Sequence, residues 1–166
     1  MLNQLLPRPV DNTYRGHKLA LWLFAVLVLL KVLMSLNVIF NGRQVAISAD
    51  GIPLDTFTPA GAQTAVALFA LWGFSHLVIC LLGALVLVRY RALIPLLFAL
   101  LLLEHLGRKL ILQVLPVPRV GSPPGFVVNL VLLALMIIGL ALSLWRRESG
   151  PTAPMSGSAA SAGERD

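Results

Sequence analysis

Glu104, His105, Arg108 and Lys109 fall within Leu-Leu-Leu-Leu-Glu-His-Leu-Gly-Arg-Lys-Leu-Ile-Leu-Gln, residues 100–113, an otherwise continuous apolar run. An acid, an imidazole and two cations in such a run offer three kinds of chemistry. Glu104 and His105 can exchange protons, Arg108 and Lys109 can attract an anion, and together they can assist a reaction on a lipid or quinone. Ionisable groups are rare and costly in a membrane-spanning helix and are usually turned away from lipid. On a helix, Glu104 and Arg108 are neighbours one turn apart, as are His105 and Lys109, and all four fit an arc of about 140°. Leu103, Leu106, Leu110 and Val114 occupy the other side. The helix thus has a polar face for its neighbours and an apolar face for lipid.

The rest of the chain makes the membrane setting plain. Of its 166 residues 58% are hydrophobic and 12% charged, with a mean hydropathy of +0.87. A soluble domain carries roughly twice that share of charge, so a membrane protein is expected. The formal charge of +6 does not point to nucleic acid, because the basic residues flank apolar segments. They read as topology determinants and as contacts for anionic lipid heads. Cys80 is the one cysteine, which excludes an intrachain disulfide.

Four spans are predicted to position the charged face: residues 18–40, 64–88, 92–115 and 126–145, each long enough to cross a hydrocarbon core of about 30 Å. The fold class is therefore an all-α, antiparallel four-helix membrane bundle. A cleaved signal peptide competes for the first span. That span is too long for one, contains Lys31, and is followed by no small-x-small cleavage site. Residues 1–17 form a polar approach segment, and 148–166, rich in Pro, Gly, Ser and Ala, form a tail too poor in apolar surface to fold. Residues 41–63 make the first outer loop. Asp50-Gly51 between two short apolar runs gives a β-hairpin signal, weakened by Pro53, and an irregular loop over the helix ends is the competing reading. Pro116, Pro118, Pro123 and Pro124 build the second outer loop. Arg8, Arg15, Lys18, Arg89, Arg91, Arg146 and Arg147 fall on one side, which the positive-inside rule makes cytoplasmic. Both termini are then inside, as expected for a protein of a bacterial inner membrane.

Counting from these anchors at about 1.5 Å per residue puts Lys31, His76 and Glu104 at a common depth of roughly 18 to 20 Å. A charge at the membrane centre costs about 2.5 to 3.5 kcal/mol. An ion pair between Lys31 and Glu104 would offset much of that and is the preferred pairing, with Arg108, on the same helix, as the rival partner. On the second span Gly73, His76, Cys80 and Gly83 share a face that is small apart from the histidine. Such a face allows close helix approach.

Each residue also has a structural reading. Glu104 with a cation can fix helix register; Arg108 and Lys109 can snorkel outward; His76 can be a buried hydrogen-bonding residue; Asn129 can bond between helices. A zinc site from His76, Cys80, Glu104 and His105 draws on two spans and has no spacing motif. Ser75 beside His76 faces another direction, so no nucleophile-base pair forms. No phosphate-loop, dinucleotide or haem-attachment motif is present, and no cofactor or metal is expected.

Three functions remain. The leading one is a non-enzymatic accessory or assembly protein, with the third helix fixing internal packing or docking to a membrane partner or a second copy. The alternative is a proton-linked carrier of a small amphiphile or anion, and the third is an enzyme acting on a lipid or quinone. The candidate binding residues are Glu104, His105, Arg108, Lys109, Lys31 and His76.

Overall fold

The computed structural model describes residues 16–145 together with Asn12 and Tyr14. The approach segment with Arg8 and Arg15, the Arg146-Arg147 pair and the tail lie outside the described residues. The elements in order are α1 (Lys18–Phe40), α2 (Gly42–Ser48), a 3-10 turn (Leu54–Thr56), α3 (Pro59–Arg89), a second 3-10 turn (Arg91–Leu93), α4 (Ile94–Val114) and α5 (Gly125–Leu144). The fold is all-helical, with no strand among the described residues. Three helices, α1, α3 and α5, are long and apolar enough to cross a membrane. The fourth long helix, α4, has 21 residues, but Glu104, Arg108 and Lys109 interrupt its apolar run.

Local chemistry sets the ends. The His17 ring accepts from the Leu19 amide at 3.2 Å to cap α1, satisfying one of the orphan donors at a helix start. At the start of α3 the Thr58 hydroxyl accepts from the Gly61 amide at 3.2 Å, and Pro59 takes the first position, where a missing donor costs nothing. This cap starts the helix five residues before the expected span.

The long helices alternate in direction. A Cβ placed on Gly73 would meet Val38 Cγ1 at 2.9 Å, and one on Gly83 would meet Val28 Cγ2 at 3.2 Å, so α1 and α3 pack closely and antiparallel. The Gly125 amide donates to Ala49 O at 2.9 Å, and the His17 amide to Leu142 O at 3.3 Å, so α5 also runs against α1. Phe98 of α4 packs edge-on against Phe24 at 5.0 Å between centroids and closes over Gly139 of α5. These two phenylalanines, with Leu27, Leu101 and Met136, centre the core. The α1 residues that are buried, Ala20, Phe24, Leu27, Val28, Lys31 and Ser35, follow helical spacing. Leu19, Trp22 and Leu33 on α1 and Leu103 and Leu110 on α4 lie outward and exposed.

The first outer connection corrects the hairpin expectation. Residues 42–48 are helical, not extended, and the chain turns at Gly51, whose φ of 69° suits glycine. The Val45 carbonyl accepts from both the Ala49 and Asp50 amides, at 2.9 and 3.1 Å. A short helix satisfies its own backbone donors, whereas two isolated strands are marginal and leave both edges open. The Val120 amide donates to Gly51 O at 2.8 Å, so the second outer connection docks on the first. A small cluster of Ala46, Ile52, Leu54 and Ala62 lies in this outer end.

Candidate functional site

Lys31 projects from α1, His76 from α3, and Glu104, His105 and Arg108 from α4. They form a linked chain. Lys31 Nζ lies 3.2 Å from His76 Nε2, His76 Nδ1 lies 3.8 Å from Glu104 Oε1, and Arg108 Nε lies 3.5 Å from the same carboxylate oxygen. Arg108 Nη2 donates to His105 Nδ1 at 3.3 Å. The preferred direct pair of Lys31 with Glu104 is thus not what the structure places together: His76 stands between them, and the rival, Arg108, holds the carboxylate. The cause is lateral. α3 packs closely on α1 along its glycine-bearing face, which brings the His76 ring to the Lys31 amine before α4 can reach it. Lys31 and His105 are each 2% exposed, while Lys109 is exposed and has no ion-pair partner among the described residues.

Donor chemistry fixes the His105 tautomer. A guanidinium has only hydrogens to offer, so His105 Nδ1 accepts and the neutral ring carries its hydrogen on Nε2. An ammonium at Lys31 likewise donates to His76 Nε2, leaving the His76 hydrogen on Nδ1, towards Glu104. Buried polar atoms are nearly always paired. Among the described residues His105 Nε2, His76 Nδ1 and Glu104 Oε2 are buried with no hydrogen-bond partner.

Beside this chain is a cleft of about 880 Å³. α3 packs mainly on α1, and α4 mainly on α5, so above the Arg91–Leu93 turn α3 and α4 touch little and the cleft occupies the space between them. Glu104, His105, Arg108 and Lys109 line one wall, Phe69 and Trp72 of α3 another, and the outer connections close the end with Asp50 and Arg119. The Arg108 guanidinium lies 4.7 Å from the centroid of the Trp72 ring, a cation–π contact. Burial pushes the Asp50 carboxyl above its ordinary value, and Arg119 and Arg108 pull it partway back. Of the six residues singled out from the sequence, four line the cleft; Lys31 and His76 sit behind it in the packed interior.

Trp72, Asp50 and Arg119 are cleft residues that the sequence reading left out of the site. Trp72 was within reach. It precedes His76 by four residues and Arg108 follows Glu104 by four, so once His76 faces Glu104 across antiparallel helices, Trp72 must face Arg108 one turn further out. Asn129, expected to bond between helices, lines the cleft. No three of His, Cys, Asp and Glu gather at metal-holding distance among the described residues. Compared with known proteins, the chain matches no protein-family model, no curated protein sequence and no solved structure.

Proposed function

We propose that this is a four-span protein of a bacterial inner membrane, with both termini cytoplasmic, that holds an amphiphile in the cleft beside α4. α4 is taken as the fourth span because it has the length, lies alongside α1 and α5, and turns Glu104 and Arg108 towards α3. The Lys and Arg distribution supports the orientation, and anionic lipid heads at the cytoplasmic face are the expected partners of the inner cations. One observation carries the ligand reading: the charged face of α4 forms a wall of a cleft that aromatic and aliphatic side chains line opposite it, with Asp50, Arg119 and Asn129 at its outer end. Small-molecule sites commonly have about 300 to 1,000 Å³ and a few polar groups among apolar walls. The cleft also borders exposed apolar surface, with Leu103 67% and Phe126 59% exposed, so an apolar tail can pass from it into lipid.

A second reading, an accessory or assembly protein, is favoured by the buried chain itself. Lys31, His76 and Glu104 tie α1, α3 and α4 together, as a device that fixes packing would. Proton-linked transport would add movement of the ligand to the amphiphile reading, and lipid or quinone chemistry would add a reaction; no distance in the site favours the latter.

Native mass spectrometry after mild extraction separates the readings. Gly107 lines the cleft and a Cβ there meets nothing within 4 Å, so Gly107→Leu obstructs part of the cleft without disturbing the helix. The amphiphile reading expects a small molecule on the wild type that is lost in Gly107→Leu. A second polypeptide held by the wild type, with no small molecule, would replace it with the accessory reading.

A further inference from the structure

We infer that the ligand of this cleft is an amphiphile with an oxyanion head, a phosphate, sulfate or carboxylate, drawn to Lys109 and Arg119 at the rim and seated beside Arg108 and His105. This rests on the amphiphile reading and adds the chemistry of the head.

Charge is the first ground. Three cations, Arg108, Lys109 and Arg119, line the cleft against two carboxylates, Glu104 and Asp50. Glu104 already has Arg108 at 3.5 Å, and Arg119 lines the same cleft as Asp50. Lys109 is left over on the wall with no ion-pair partner among the described residues. A negative head completes the set, whereas a cationic head would meet an excess of like charge in a site partly shielded from water, where such charges interact strongly.

The second ground is hydrogen-bond geometry. His105 is 2% exposed, lines the cleft, and has a buried Nε2 with no partner among the described residues. Because Arg108 occupies Nδ1 as a donor, Nε2 carries the hydrogen and lacks an acceptor. The same bond holds the Arg108 guanidinium on the cleft wall, where an anionic oxygen is the strongest acceptor for its remaining hydrogens. Arg108 contributes further: Nε is directed to Glu104 and Nη2 to His105, which leaves guanidinium hydrogens of its five uncommitted. The aromatic pair Phe69 and Trp72, T-shaped at 5.8 Å, lines the wall facing these donors and offers an apolar surface for the tail.

The test uses the full-length protein in phosphatidylcholine nanodiscs, with native mass spectrometry reading occupancy. The probes are dodecyl phosphate, dodecyl maltoside, dodecyltrimethylammonium and inorganic phosphate. Dodecyl phosphate is expected to bind at least tenfold more tightly than the maltoside. That preference should vanish in Lys109→Gln/Arg119→Gln, whose two sites are exposed and whose folding is checked by an unchanged unfolding temperature. Arg43→Gln, which removes an exposed cation outside the cleft, should leave the preference intact. Equal binding of phosphate and maltoside probes overturns the oxyanion head while leaving the amphiphile reading standing, and so does a preference for the ammonium probe. Inorganic phosphate binding as tightly as dodecyl phosphate overturns the tail and makes the site one for a free anion. No binding of any dodecyl probe overturns the amphiphile reading itself.

Discussion

Helix α3 meets its two neighbours in opposite ways. Towards α1 it presents Gly73 and Gly83, and the backbones close until Val38 and Val28 fill the space that a larger residue would need. Towards α4 it presents Phe69, Trp72 and His76, and the helices stand apart around a cleft. Lipid gives helices no hydrophobic reason to associate, so close packing of small residues drives the first contact. Polar bridges hold the second, through His76 to Glu104 and Trp72 to Arg108. A tightly packed seam suits permanent structure, and a bridged, partly empty one suits a guest.

The sharpest way to break this comparison is on the packed side of the bundle. Gly139 lies under the Phe98 ring with no room for a Cβ. Gly139→Val should displace Phe98 from Phe24 and cost about 3 kcal/mol, seen as a marked fall in unfolding temperature in mild detergent. A folded variant of unchanged stability would mean that α4 and α5 are less tightly joined than described.

On the bridged side the largest effect belongs to Glu104. Glu104→Gln leaves the half-buried Arg108 without its anion and should cost about 1 to 3 kcal/mol. Adding Arg108→Gln should restore part of that loss. A double-mutant cycle reads the coupling directly, and additive losses would show that the pair contributes nothing. Trp72→Leu removes the surface beneath the guanidinium and should cost less, about 1 kcal/mol, while weakening retention of an amphiphile in the cleft. The same substitution at Trp22, 70% exposed on α1, is the matched control and should change neither.

These two seams were not equally legible in the sequence. The glycine-bearing face of α3 and the matched depth of Lys31, His76 and Glu104 follow from helical spacing and rise alone, because both are properties of single helices. Which of the three touch is a property of the distance between helices. Height along the bundle says nothing of lateral separation, so the expected Lys31 to Glu104 pair is replaced by one relayed through His76. The cleft is harder still, since it is defined by residues from α3, α4 and both outer connections, and no period in one segment marks an empty space. Asp50-Gly51 was legible as a turn, but not what it joins, because its flanks form self-contained helical turns instead of a strand pair.

Asp50 supplies the smallest and most selective effect, one of pH. Its carboxyl is raised above the ordinary value near 3.8 by burial, against the pull of Arg119 and Arg108. Between the unfolded and folded values the folded state therefore binds more protons than the unfolded one, and stability falls as pH rises through that window. The contribution is fully present below the unfolded value and is lost above the folded one. Asp50→Asn should flatten this slope within that window, measured as unfolding temperature against pH in mild detergent, and leave the packed seam of α1 and α3 untouched. Because Asp50 is one of the two carboxylates facing the cleft, Asp50→Asn also removes a negative charge from it at any pH above the folded-state value and should tighten an oxyanion ligand there. A steeper acid slope in Asp50→Asn, or a weaker hold on dodecyl phosphate, would show that Asp50 serves chiefly as the partner of Arg119 and that the outer end of the cleft is held by that pair.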